Sequence, residues 1–189
     1  MPITLNGTTG VVTPGATVGS ITGILKATSG VVSQAVAGSD YGQLTLATAQ
    51  SATGTAVDFT SIPSWAKRIT IIFQAVSTNG SSSVIVRLGT SSGFVSSGYL
   101  GSSASFNYTN GFPIDDIGSA AAVRHGYIQI MNITGNSWVS GGSMGRSDAA
   151  GSYSSGGSVS LASTLTQVQI TTGNGTDAFD AGTINISYE

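Results

Sequence analysis

Glutamate occurs once in this chain, at Glu189, and lysine twice, at Lys26 and Lys67. These straight-chain residues cover the wet faces of soluble helices, so a chain almost without them has little from which to build one. In their place stand 30 Ser, 23 Thr and 27 Gly among 189 residues, with valine recurring between them. Val and Thr suit strands, while Ser and Gly suit the turns that join strands. The expected fold class is all-β, with many short strands.

The same composition excludes several functions. Lys and Arg number 6, Asp and Glu 8, and the net charge is -2. Six scattered cations make no basic stripe, so no nucleic-acid partner is expected. No apolar run approaches the length of a membrane span. Met1-Pro2-Ile3-Thr4 lacks the positive start of a secretory signal. Cysteine is absent, which removes disulfides, thiolate metal sites and cysteine nucleophiles.

The chain divides into two regions. Residues 1–50 contain two charges, Lys26 and Asp40, and one aromatic residue, Tyr41. Short apolar steps alternate with glycine: Leu5, Val11 and Val12, Ile24 and Leu25, Val31 and Val32. Ordering fifty such residues costs roughly 75 kcal/mol of backbone entropy. Offsetting that takes about 3,000 Å² of apolar burial, more than small side chains spaced by glycine bury within one chain. The segment is therefore read as an extended shaft or anchor ordered against other chains. Leu5, Val11, Val12, Ile24, Leu25, Val31 and Val32 are its interface candidates, and Lys26 is expected to pair with Asp40 on its surface.

Residues 51–189 read as a β-sandwich head, jelly-roll-like in its strand count. In residues 68–76, Ile69, Ile71 and Phe73 share one face. In residues 183–188, Ile184, Ile186 and Tyr188 alternate with polar residues. Further strands are expected at 55–59, 83–88, 94–100, 124–131, 137–143, 158–163 and 165–171. Asn79-Gly80 predicts a hairpin between the strands that flank it. Residues 61–66 form either one helical turn or a corner.

Few residues offer chemistry. His125 is the one histidine; no Gly-x-Ser-x-Gly elbow accompanies it, so it reads as a strand-end residue or interface partner rather than a base. Asp115-Asp116 sits in an apparent turn, where adjacent carboxylates point apart rather than across a sugar cleft. Asp177 and Asp180 admit a calcium site or plain turn capping. No catalytic residue, metal or cofactor is assigned. The aromatic residues on Ser/Gly loops have the composition of adaptable recognition surfaces, and Tyr99, Tyr108 and Tyr153 are the candidates for a glycan or receptor.

Leu5-Asn6-Gly7-Thr8-Thr9-Gly10 resembles the N-termini of tailed-bacteriophage virion proteins. Residues 23–41, GILKATSGVVSQAVAGSDY, resemble segments of phage tail fibres and appendages. Residues 57–70 are similar to the start of a domain in phage and prophage structural proteins. The resemblance implies a non-enzymatic homotrimeric component of the virion, assembled in the host cytoplasm. It implies an N-terminal part docked on other virion proteins and a C-terminal β head turned outward, towards a bacterial surface glycan. A tail fibre or tail-associated appendage is the first expectation; a capsid decoration protein or head fibre is the alternative.

Overall fold

The computed structural model describes residues 23–29, 31–36 and 40–189. Sixteen strands follow in chain order: β1 Leu25–Thr28, β2 Val31–Gln34, β3 Thr45–Leu46, β4 Gln50–Ser51, β5 Ala56–Phe59, β6 Arg68–Thr78, β7 Val84–Thr90, β8 Gly93–Phe94, β9 Leu100–Ser103, β10 Phe106–Tyr108, β11 Phe112–Pro113, β12 Arg124–Thr134, β13 Ser137–Arg146, β14 Ser152–Ser160, β15 Gln167–Thr172 and β16 Phe179–Tyr188. No helix occurs among the described residues, and the fold is all-β.

The described residues fall into two compact units, divided between Tyr41 and Gly42. In the first, β1 and β2 pair antiparallel, with Leu25 opposite Gln34 and Thr28 opposite Val31. The expected surface pair is present: Lys26 Nζ lies 2.8 Å from Asp40 Oδ2. Asp40 also accepts the Val36 N–H at 2.7 Å. Lys26 and then that N–H hold its carboxyl below the ordinary range. Leu5, Val11 and Val12 lie outside the described residues.

The second unit begins earlier than residue 51. Thr45–Leu46 and Gln50–Ser51 both pair with β16, so residues 42–50 belong to the β domain rather than to the leader. Its larger sheet runs β10-β9-β14-β13-β12-β6-β16-β3, with β4 also on β16. The smaller runs β11-β7-β15-β5, with β8 on β7. All pairings are antiparallel.

One core holds the two sheets together. Ile69, Ile71 and Phe73 of β6, Ile128 and Ile130 of β12, and Ile184 and Ile186 of β16 face Val86 and Leu88 of β7 and Val168 and Ile170 of β15. The period-2 pattern of residues 68–76 and 183–188 thus points its apolar side inward, as the sequence predicts. Ala75, with φ 54°, is an extra residue that bends β6 and shifts its register with β12.

Two local expectations are corrected. Asn79-Gly80 makes no hairpin, because β6 and β7 lie in different sheets. The dipeptide instead turns a crossing that is laced to the β15–β16 turn. Ala178 N–H donates to Asn79 Oδ1 at 2.8 Å, and Ser82 N–H to Asp177 Oδ2 at 2.8 Å. Residues 94–100 are not one strand; β8 ends at Phe94 and β9 starts at Leu100, in the other sheet. Residues 61–66 form a corner, with Ala66 N–H on Pro63 O at 3.0 Å.

The long link from β11 to β12 is fixed by a wholly buried ion pair. Arg124 Nε donates to Asp115 Oδ2 at 2.6 Å and Nη2 to Ile117 O at 3.0 Å; Asp115 Oδ1 accepts the Ile117 N–H at 3.1 Å. Burial pushes the Asp115 carboxyl up against the pull of the guanidinium. Removing one partner strands the other charge in the core, so D115N is expected to cost about 3–5 kcal/mol. D115L/R124M, which removes both charges, is expected to be clearly more stable than D115N. Urea denaturation of the three proteins checks the order.

Candidate functional site

The three tyrosines put forward for glycan contact do not converge on one surface. Tyr99 is a correction: its side chain is wholly buried. Its Oη accepts the Leu88 N–H at 2.7 Å, and its ring stands edge-on to Phe112, centroids 4.9 Å apart. Burial pushes its hydroxyl up to about 12. Tyr99 therefore bridges the two sheets through the core and is closed to a ligand. Tyr108 is half-buried, its Oη 2.8 Å from Ser83 Oγ; burial raises its pKa too. Tyr153 pairs with Met144, a wholly buried core residue, and so falls on the core side of β14. A tyrosine can close a core while its hydroxyl finds one polar partner, which is what Tyr99 does.

His125 does not sit as a base. The Ala75 N–H donates to its Nδ1 at 3.3 Å, and its Nε2 lies 3.0 Å from Ser147 Oγ. A neutral ring that accepts at Nδ1 carries its proton on Nε2. Nε2 then donates to the serine oxygen, the reverse of what nucleophile activation needs. His125 pins the Ala75 bulge.

Four further carboxylates are likewise committed, whereas Asp116 Oδ1 is buried with no hydrogen-bond partner. Asp115 is sealed in its ion pair. Asp177 accepts the Asn174 side-chain amide and the Ser82 N–H, which together lower its pKa. Asp180 accepts the Ser77 hydroxyl. Asp177 serves the β15–β16 turn, whereas Asp180 lies in β16 and ties it to β6; no cluster of three or more His, Cys, Asp or Glu occurs among the described residues. Asp148 is held at about 2 by the Arg146 guanidinium and by the Val123 N–H.

The surface that stands out is the outer face of the larger sheet, and its residues carry no motif. The register places them in three parallel rows. One row runs Asn185, Ile72, Tyr127, Ser143, Ser154. The middle row runs Thr70, Gln129, Gly141, Gly156, Ser102, Asn107. The third runs Arg68, Met131, Val139, Ser158, Leu100. Leu100 is 76% exposed, with Tyr127, Ile72 and Met131 also open to solvent. Arg68, paired with Glu189, is the one charged residue of the three rows. A hollow of about 290 Å³ is lined by Ser102, Ser103, Ala104, Ser154, Ser155 and Gly156. A second, of about 400 Å³, opens beside it around Leu100, Ser102, Asn107 and Tyr108. The signal that would have found this face is alternation of Ser and Gly with core residues along 137–146 and 152–160, legible only once the register is known.

Comparison of the chain with protein-family models, with curated proteins and with solved structures finds no match in any of the three.

Two measurements check these roles. Y99F leaves the buried Leu88 N–H without its acceptor and is expected to lose about 1–3 kcal/mol, whereas Y108F and Y153F are expected to lose less; thermal melts of the three compare them directly. Asp148 has a depressed pKa, so its stabilising effect is full above the ordinary carboxylate value of 3.8 and is lost as the pH falls through about 2. The stability gap between the protein and D148N is expected at about pH 6 and to close towards pH 2 in urea titrations.

Proposed function

We propose that this chain is a non-enzymatic structural protein of a bacteriophage virion, a small homotrimeric tail fibre or tail-associated appendage that contacts the host surface. The observation that carries the reading is the β1–β2 hairpin. Its strands are four residues each, and an isolated two-stranded hairpin is marginal in water. Yet Ile24, Leu25, Val31 and Val32 are 55, 49, 65 and 45% exposed. Alternation puts Leu25 and Val32 on one face and Ile24 and Val31 on the other, so each face exposes two large apolar side chains. A second and third copy of the same hairpin are the occupants whose chemistry matches it. The same residues carry the resemblance to phage fibre segments, from which the copy number of three is taken. A near-neutral chain with Asp115, Asp148, Asp177 and Asp180 engaged in hydrogen bonds fits a display role better than hydrolysis.

The reading has a direct test. Particles purified from a lysate of the strain carrying the gene are expected to contain the protein by mass spectrometry. A few trimers per particle mark the tail, whereas tens to hundreds of copies mark a capsid decoration protein or head fibre. Absence from the particles overturns the reading. The purified protein is expected to sediment at three times 18.8 kDa, and L25S/V32S to dissociate with the melting of the β domain unchanged. A monomeric wild-type protein removes the trimer.

A further inference from the structure

We propose that His125 is a pH-operated latch: a proton on its Nδ1 releases the bulge at Ala75 and loosens the larger sheet along the line where β16, β6 and β12 are kinked. The latch is independent of any virion role and rests on the bonds of one ring.

Three neighbouring strands bend at the same level. In β6, Ala75 has φ 54°, a left-handed conformation that strains any residue with a Cβ. Gly182 of β16 has φ 102° and Gly126 of β12 has φ 147°. The pairing slips at each. β6 shifts against β12 between Arg124 and Gly126, and against β16 between Ala181 and Thr183. The backbones also crowd there: a Cβ on Gly182 would lie 2.5 Å from Ala75 O, and one on Gly126 2.2 Å from Ser143 O. A strained residue persists where its surroundings hold it. At Ala75 the side chain that holds it is His125, 50 residues further along the chain.

The ring grips two elements by two unlike bonds. Nδ1 accepts the Ala75 N–H at 3.3 Å, and Nε2 lies 3.0 Å from Ser147 Oγ, on the turn from β13 to β14. Histidinium donates at both nitrogens and accepts at neither. A proton on Nδ1 therefore sets one donor against another at Ala75, in a partly buried site where an unmatched polar group is costly. Nε2–H and its serine are left as they were. The ring lets go of β6 while it stays on the β13–β14 turn, so the release is one-sided.

Imidazole is the side chain that changes charge between about pH 5 and pH 8. Few other titratable groups surround it. β6 has none between residues 69 and 78. On the β13–β14 turn Arg146 and Asp148 form an ion pair, and Tyr153 of β14 adjoins Arg146. Asp180 of β16 accepts the Ser77 hydroxyl. Within β12, Tyr127 is exposed, and Arg124 is paired in the core with Asp115 of the β11–β12 link, which also carries Asp116. Asp115 is the competing pH-sensitive group, because burial pushes its carboxyl up. Substitution of His125 leaves Asp115 in place and so separates the two.

With one histidine in the chain, full-length protein carrying nitrogen-15 histidine gives one pair of ring-nitrogen signals. They are expected to mark the Nε2–H tautomer at about pH 8 and the doubly protonated ring by about pH 5. Over the same range, hydrogen exchange read by mass spectrometry is expected to show protection in residues 72–78 and 180–184 falling about tenfold, with β7 and β15 of the smaller sheet unchanged. H125N keeps an acceptor at the δ position and does not titrate, so its protection is expected to stay level across that range. H125A, with no acceptor, is expected to be poorly protected throughout. Four results overturn the latch: an Nδ1–H tautomer at the upper pH, a ring still neutral at the lower, a protonated ring with residues 72–78 as protected as before, or an H125N that loses protection as the wild type does. The last assigns the pH response to Asp115. If a substitution prevents folding, the wild-type titration decides alone.

Discussion

The two sheets of the β domain meet most closely where side chains are missing. Gly101 of β9 and Gly157 of β14 stand beside β11 of the opposite sheet. A Cβ on Gly101 would lie 2.9 Å from Pro113 Cδ, and one on Gly157 3.0 Å from Phe112 Cδ1. Phe112 is thereby wholly buried, and Tyr99 packs edge-on against it while its hydroxyl reaches Leu88 in the smaller sheet. An interior is packed to crystal-like density, so one added methyl at this corner would push the sheets apart.

Connectivity imposes the second constraint. The chain passes between sheets at β4–β5, β5–β6, β6–β7, β8–β9, β10–β11, β11–β12, β14–β15 and β15–β16, and each passage has backbone groups to satisfy away from any ladder. Short side chains do this. Asn79 and Asp177 lace one crossing to its neighbour, Asn174 Oδ1 accepts the N–H groups of Thr176 and Asp177, and His125 takes the N–H of Ala75. The longest passage, β11 to β12, uses Arg124 and Asp115. Asn79, Asn174, Asp177, Asp115 and Arg124 thus serve passages between the sheets.

This explains what could be read in the sequence. Ile69, Ile71 and Phe73, and Ile184, Ile186 and Tyr188, declare a period of two within their own strands, so their faces were legible. Lys26 and Asp40 were legible as a pair because nothing else charged lies near them in the leader. Asn79-Gly80 was misleading because the dipeptide specifies a tight reversal, not which sheet receives the next strand. Residues 42–50 looked like leader because two-residue strands have no period, and their partner, β16, is more than a hundred residues away. Tyr99 looked like a surface residue because its neighbours are serine and glycine, yet its ring packs on Phe112 and its hydroxyl on Leu88, both distant in sequence. The outer face was invisible for the same reason: Gln129, Gly141, Gly156 and Ser102 come from four strands and become neighbours only through register.

Sparse charge leaves a β domain exposed to edge-to-edge association, since charged edge residues are a common defence. Here the larger sheet ends in β3, of two residues, and β10, of three. An edge that short offers a second chain few backbone groups to pair with. Shortness thus does the work that lysine does elsewhere, and it frees the sheet's outer face from carrying charge. The β1–β2 hairpin differs: Leu25 and Val32 stand exposed on one face and Ile24 and Val31 on the other.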